Sequence, residues 1–395
     1  MTRTGTPQPP DWSARADEAS RSVIRLFGRR LFFLPGTHLA ATVRPSGWLA
    51  APAAPWHYWW QAHYLDCLVD TARREPGSGT GRLASQLLSG IRLRNLLTVV
   101  NNYYDDMAWL ALATLRLDRL PDDGGTGHPA GHGRNIRILR TLTRQLDSAC
   151  TADLGGGTFW NTRRDFKNTP ATAPAALYYA RTGQSNKAQS LLDWLDARLY
   201  DPDQGLYRDG LRITGTGQPT LEAAVYSYNQ GPILGALLEL GGAANLARAA
   251  ALVDATAHHL TAPAPAAGRR DRATGPGAVL RSEGTGDGGL FTGILVRYLA
   301  LAATDGRLPA ATRTTAASLV LETAGAFWNG RRHIAGEEGL ARAGGSLVFS
   351  VRPELPAALT YPRGSAVELS TQLQAWMTLE AAASVAAPTT SPADN

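Results

Sequence analysis

The chain has 395 residues, 44% of them hydrophobic, and a formal net charge of +6. That length can hold one large core or two domains, and no apolar run approaches the ~20 residues of a membrane-spanning helix, which excludes such a helix. Lys167 and Lys187 are the only lysines among 39 basic residues; the arginines are spread along the sequence rather than gathered in a basic stripe, which argues against a nucleic-acid partner.

Residues 1–11 and 388–395 read as disordered tails. Between them no interdomain linker interrupts the pattern, so 12–387 is expected to be one domain. The opening residues contain no apolar stretch and no cleavage-like site, which points to the cytoplasm, or to secretion if the chain is a trimmed form. Strand signals are scarce, and Ala and Leu recur at helical spacing. Twelve helices are expected, near 13–28, 56–74, 81–99, 104–119, 134–150, 170–182, 185–199, 219–240, 244–260, 288–303, 308–326 and 366–386. The stretch 261–287, rich in Pro, Gly and Arg, reads as a long functional or mobile loop. Within 330–363 a short hairpin is expected, with Ser346–Ser350 as one strand. Cys67 and Cys150 lie far apart in sequence and are expected to be free thiols.

The even-numbered helices share a feature. Each opens on a polar or aromatic cluster and then turns apolar: Trp56–Gln61, Asn101–Asp106, Lys167–Pro170, Tyr226–Gln230, Asp287–Phe291 and Gly364–Glu368. The odd helices lack such openings and carry more charge. This alternation fits an all-α ring of six helical hairpins, with apolar inner helices and amphipathic outer ones. The six special N-termini then meet at one end and form a cleft lined by aromatics, amides and carboxylates.

Asp105 and Asp106 occupy the first turn of a helix whose apolar face is Met107, Leu110, Ala111 and Leu115. Acidic residues favour that position for dipole reasons alone. Asn102, Tyr103 and Tyr104 before the pair and Trp109 after it are, however, carbohydrate-binding residue types. Cleaving a glycosidic bond takes two carboxyls, one to protonate the leaving oxygen and one to attack or to activate water. Consecutive helical residues diverge by about 100°, so their carboxyls can stand several ångströms apart, and a retaining pair needs about 5 Å. Spacing alone does not decide which aspartate holds the proton. Trp59 and Trp60 supply faces for stacking on sugar rings, and their divergence around the helix sends at least one into the core. The loop Gly155–Gly157 leads to Trp160 and Asn161; no strand precedes it and no Gly-Lys-Ser/Thr follows it, so it presents Trp160 rather than cradling phosphate. Asn229 and Gln230 offer paired amides for hydroxyls, with helix capping as the plainer role for Asn229. Asp287 opens the fifth special helix. No His/Cys cluster has zinc spacing and no Gly-x-Ser-x-Gly elbow is present, so neither metal nor cofactor is expected.

Four segments, NNYYDDMAWLALA (101–113), GGTFWNTRRDFKNTPATAPAAL (156–177), YSYNQGPILGALLEL (226–240) and DGGLFTGILVRYL (287–299), resemble glycoside hydrolase family 76, over roughly residues 55–385. The resemblance implies an (α/α)6 barrel and cleavage of α-1,6-mannosidic linkages in mannan or manno-oligosaccharides, with retention of configuration. It implies Asp105 as nucleophile and Asp106 as acid/base. The family often has a second tryptophan where this chain has Phe159. Apart from the mannan substrate no partner is expected, neither nucleic acid nor membrane, and the protein is expected to be a monomer. Two other readings remain: a sugar 2-epimerase on the same barrel, which needs proton-transfer histidines at the rim, and an inactive mannan-binding protein, which would keep the tryptophans without needing both aspartates.

Overall fold

The computed structural model describes residues 10–45, 55–121, 131–214, 218–265, 277–334 and 344–387. Both expected tails fall almost wholly outside that set. Twelve long helices and one short one follow in order: α1 (Trp12–Phe27), α2 (Tyr58–Arg74), α3 (Thr80–Arg94), α4 (Tyr104–Asp118), α5 (His132–Ala149), α6 (Thr169–Arg181), α7 (Ser185–Leu199), α8 (Ser227–Leu240), α9 (Gly242–His259), α10 (Phe291–Thr304), α11 (Ala310–Gly330), α12 (Ala357–Thr360) and α13 (Leu369–Ala386).

Six of these form a closed inner ring. Helix α2 packs on α4, α4 on α6, α6 on α8, α8 on α10, α10 on α13, and α13 returns to α2. The remaining long helices lie outside: α3 against α2, α5 against α4, α7 against α6, α9 against α8, α11 against α10 and α1 against α13. The architecture is the all-α (α/α)6 barrel. Burial follows from position in the ring. In α13 every residue from Leu369 to Ala382 is buried, whereas α5 buries only the stripe Asn135, Ile138, Leu139, Leu142, Leu146 and Ala149, as an amphipathic outer helix should. Close approach inside the ring depends on glycine: a Cβ on Gly293 of α10 would stand 2.6 Å from the Gln374 Cα of α13.

A glutamine device recurs in the ring. In the first turn of α2, Gln61 accepts from the Ala40 N–H at 2.9 Å and donates to its carbonyl at 3.1 Å. Gln230 of α8 does the same to Tyr207, at 2.9 Å each way, and Gln372 of α13 to Phe349, at 2.8 and 3.0 Å. Each side-chain amide pairs with the backbone N–H and C=O on the open edge of a short extended segment. Farther along the inner helices, Arg116 and Arg297 interlock with Asp66 and Asp70 and tie α4 and α10 to α2.

Two expected elements differ. The predicted helix 219–240 begins only at Ser227, because Pro219–Glu222 pairs antiparallel with Gly210–Ile213. The predicted helix 81–99 stops at Arg94; the Asn95 side-chain amide then takes the Val100 carbonyl at 2.9 Å and turns the chain. The expected hairpin is present, Arg332–His333 pairing with Leu347–Val348. The long loop carries a short ladder, Thr261–Pro263 with Ala278–Leu280, and its middle lies outside the described residues. Both cysteines are free. No described helix is long and apolar enough to cross a membrane.

Candidate active site

The inner-helix N-termini gather at one end of the ring around a cleft of about 720 Å³. Its walls come from α2 (Tyr58, Trp59), α4 (Asp105, Asp106, Trp109), the approach to α6 (Trp160, Phe166, Asn168), α8 (Tyr228) and the start of α10 (Asp287, Phe291). The sixth inner helix contributes through Glu368, which precedes α13 and accepts from the Gly286 N–H at 2.6 Å.

Asp105 and Asp106 both reach this cleft from the first turn of α4. Their surroundings differ. The Trp160 indole N–H donates to Asp105 Oδ2 at 3.0 Å, while Oδ1 is buried with no hydrogen-bond partner among the described residues. Burial pushes the Asp105 pKa up to about 7, opposed by backbone amides of the helix start and by the Trp160 indole. Asp106 Oδ2 accepts from the Asn101 side-chain amide at 2.5 Å. Burial and then the Asp105 charge raise the Asp106 pKa well above the usual carboxyl range, with Asn101 opposing. Of the two, Asp105 is the one better supplied with donors to its ionised form, and Asp106 the one whose protonated form burial and the neighbouring charge favour.

The placement of Trp160 is fixed from its backbone. Its N–H donates to the Phe166 carbonyl and its carbonyl accepts from the Tyr104 N–H, both at 2.8 Å. The glycine-rich loop upstream is gathered by Lys167, a buried lysine whose ammonium donates to the carbonyls of Thr151 at 2.9 Å and of Asp153 and Gly156 at 2.7 Å. Gly157, at φ +75°, could carry no side chain: a Cβ would meet the Trp194 ring at 2.7 Å.

Across the cleft Asp287 Oδ1 accepts from the indoles of Trp59, at 3.0 Å, and Trp60, at 2.8 Å. Tyr228 stacks on Phe291 with ring centroids 3.8 Å apart, and Trp59 tilts against both. This is an aromatic wall with a carboxylate at its edge, suited to the C–H faces and hydroxyls of sugar rings.

Of the residues expected at the site, Asp105, Asp106, Trp59, Trp160 and Asp287 line the cleft together. The others sit behind or beside it. Trp60 is buried, stacked on His57 with centroids 4.3 Å apart, and meets the site through its bond to Asp287. Tyr104 is the first residue of α4 and turns inward, so Tyr103 lines the cleft in its place. Asn102 is exposed outside the lining. Asn161 is buried and accepts from the Arg163 N–H at 3.0 Å, which makes it a turn residue. Gln230 spends its amide on Tyr207. Asn229 is buried and donates to Asp209 Oδ1 at 3.3 Å, its own Oδ1 being without a partner among the described residues.

Asp209 and Arg212 also line the cleft and were not expected from the sequence. Asp209 lies at the end of a hairpin strand between α7 and α8, and burial pushes its pKa up to about 6. Glu283, in the loop before α10, accepts from the Ser227 N–H at 3.0 Å and hydroxyl at 2.7 Å and so caps α8. Among the described residues no group of three or more His, Cys, Asp or Glu is placed to hold a metal ion.

Comparison with known proteins places this arrangement. The structure is similar to the GH76A α-1,6-mannanase of Salegentibacter sp. HEL1_6, with 26% identity and a TM-score of 0.75 over 95% of this chain and all of that one. The likeness is equal to an inactive variant of that enzyme, substituted by asparagine at two consecutive aspartates and bound to α-1,6-mannotriose. A family 76 mannosidase from Bacteroides thetaiotaomicron VPI-5482 shares the fold at 18% identity, with a TM-score of 0.67 over 95% of this chain and 98% of that one. No match was found among curated proteins. The profile of glycosyl hydrolase family 76 matches residues 40–338, most of the barrel including the paired aspartates, and the chain belongs to that family of glycoside hydrolases.

Proposed function

We propose that the protein hydrolyses α-1,6-mannosidic linkages in mannan or manno-oligosaccharides with retention of configuration, Asp105 acting as nucleophile and Asp106 as acid/base. The observation that carries this reading is the unequal pair at the start of α4. Asp105 is held by the Trp160 indole, and Asp106 keeps its proton under burial and the charge beside it. The related mannanase that is inactive when two consecutive aspartates are replaced, yet binds α-1,6-mannotriose, supports the same pair here.

In the first step the Asp106 carboxyl gives its proton to the glycosidic oxygen while an Asp105 oxygen bonds to the anomeric carbon and the leaving sugar departs. The glycosyl ester on Asp105 is then opened by water, whose proton Asp106, now a carboxylate, accepts. The Asp106 charge during the second step is stabilised by the Asn101 amide. Trp59, Tyr228 and Phe291 offer stacking surfaces, and Asp209 and Asp287 offer acceptors for hydroxyls, with the buried Asn229 amide holding Asp209 from behind.

The test is incubation with linear α-1,6-mannan and α-1,6-mannobiose, with products followed by chromatography and the first-formed anomer by proton NMR. Shorter mannosides with an α anomer formed first are expected. A β anomer formed first would overturn retention, and unchanged mannan would overturn the substrate. Interconversion of free mannose and glucose without hydrolysis would favour the epimerase.

A further inference from the structure

The outer flank between α3 and α5 takes no part in the cleft, yet it contains a built site. A groove of about 310 Å³ is lined there by Arg92, Arg134 and Arg137 with Leu97, Thr98 and Ile138, and no described carboxylate lines it. Arg134 is half-buried. One terminal nitrogen donates to the Ser89 hydroxyl at 2.7 Å, while its buried Nε has no partner among the described residues. Burial and the neighbouring Arg92 charge lower the Arg134 pKa, as when cations are held together without a counter-charge. At 100° per residue, Arg134, Arg137, Arg140 and Arg144 fall within an arc of about 120° on α5, so that arginines spread thinly in sequence gather on one face of the folded helix.

The loop after α3 sets an apolar tip beside this groove. Leu96 and Leu97 are 90% and 63% exposed, and both are held in the left-handed region, at φ 56° and 66°. Leucine rarely adopts that conformation. Here it is enforced by the Asn95 amide on the carbonyls of Thr98 and Val100 and by the Arg92 Nε on the Leu97 carbonyl at 3.1 Å. A rigid loop that exposes two leucines next to three arginines matches the boundary of a bilayer. Guanidinium groups meet phosphates there, and aliphatic side chains enter the acyl region.

We propose that this flank docks the protein on a lipid bilayer with anionic phosphate headgroups. Arg92, Arg134 and Arg137 take a headgroup, and Leu96 and Leu97 enter the bilayer boundary. The absence of a spanning run in the sequence bears on crossing a membrane and leaves peripheral docking open. The proposal does not depend on the sugar linkage cleaved.

The test is co-sedimentation of the full chain with vesicles of equal phosphatidylglycerol and phosphatidylcholine, and with phosphatidylcholine alone, at low and high salt. Binding to the anionic vesicles is expected, weakened by salt. Leu96→Ser/Leu97→Ser should weaken it by about ten-fold, and Arg134→Gln/Arg137→Gln by roughly five-fold per arginine. Unfolding temperature and circular dichroism confirm that each variant is folded, and Arg137→Gln alone serves if the double variant is not. No sedimentation with anionic vesicles at low salt overturns the proposal. So does undiminished binding of the leucine variant, which leaves only diffuse attraction of the basic chain. Tighter capture of the unsubstituted protein by duplex DNA than by anionic vesicles, or its release from those vesicles by millimolar inorganic phosphate, assigns the groove to another anion and likewise overturns it.

Discussion

Replacing Asp105 by asparagine should make the protein relatively more stable near neutrality and abolish turnover. In the unfolded chain Asp105 loses its proton near pH 4; in the fold it does so at about 7. Between these values the folded state binds the extra proton, so its stability falls as pH rises from about 4 to about 7 and stays low above. A gap of about three units, at about 1.4 kcal/mol each, gives an upper bound of about 4 kcal/mol. Asp105 is half-buried and coupled to Asp106, which reduces the expected penalty to about 2 kcal/mol. In Asp105→Asn the amide oxygen can still accept from Trp160, whereas the new N–H group near the unpartnered Oδ1 position costs about 1 kcal/mol at every pH. The pH-dependent part is therefore the clean readout. The difference in stability between variant and parent should grow by about 2 kcal/mol from about pH 4 to about pH 7.5, a change of roughly 2–3 °C in relative Tm for a chain of this size. Thermal unfolding of both proteins across that range measures it. A difference that stays flat, or shrinks as pH rises, would show that Asp105 ionises normally in the fold, and the reasoning about its environment would be wrong.

Other consequences can be checked on the same enzyme. Asp105→Ala with azide and an activated α-mannoside should yield a glycosyl azide of inverted configuration, and Asp106→Ala one of retained configuration; the opposite pattern exchanges their roles, and near-parental turnover in either variant removes the pair from the mechanism. Trp160→Phe keeps a ring but loses the bond to Asp105, a charge-assisted bond of about 1.5–3 kcal/mol, so the acidic limb of kcat/KM should move up by roughly one unit; an unmoved limb refutes the assignment of Asp105 as the group that must ionise. Lys167→Met strands the carbonyls of Thr151, Asp153 and Gly156 and should cost about 3 kcal/mol of stability while lowering kcat/KM through Trp160; unaltered unfolding would show that the loop holds without it.

The ring, and the position of the aspartate pair at its cleft end, were legible in the sequence because both are local signals. Hydrophobic period separates inner from outer helices, and a special cluster at every second helix start places those starts at one end. What it did not carry is phase and partnership across the chain. Tyr103 and Tyr104 are equal as sequence, and only the true start of α4 sends the first to the cleft and the second to the core. Trp59 and Trp60 part in the same way, and Asp287, assigned to the site for its position, is what joins both indoles. Asp209 was missed because the hairpin that presents it, Gly210–Ile213 with Pro219–Glu222, falls partly where a helix was expected.

Gln230 is the instructive error. A polar amide at the opening of an inner helix looks like a sugar ligand, since that end of the barrel is the cleft. Yet its two hydrogen bonds go to the backbone of Tyr207, and the same pattern joins Gln61 to Ala40 and Gln372 to Phe349. In each case the partner precedes the glutamine by 21 or 23 residues. Ala40 and Tyr207 each pair with a strand on one edge only, with Gly28 and Tyr200, and on the open edge the N–H and C=O would be buried unsatisfied at a cost of about 1–3 kcal/mol each. One side-chain amide at the start of the next inner helix meets both groups at once, because it offers a donor and an acceptor side by side at any ordinary pH. The device therefore belongs to the barrel and not to the substrate, and Gln230→Ala should show it. Stability should fall by about 2–4 kcal/mol, while KM of the protein that remains folded stays at the parental value. A raised KM with unchanged Tm would return Gln230 to the sugar site.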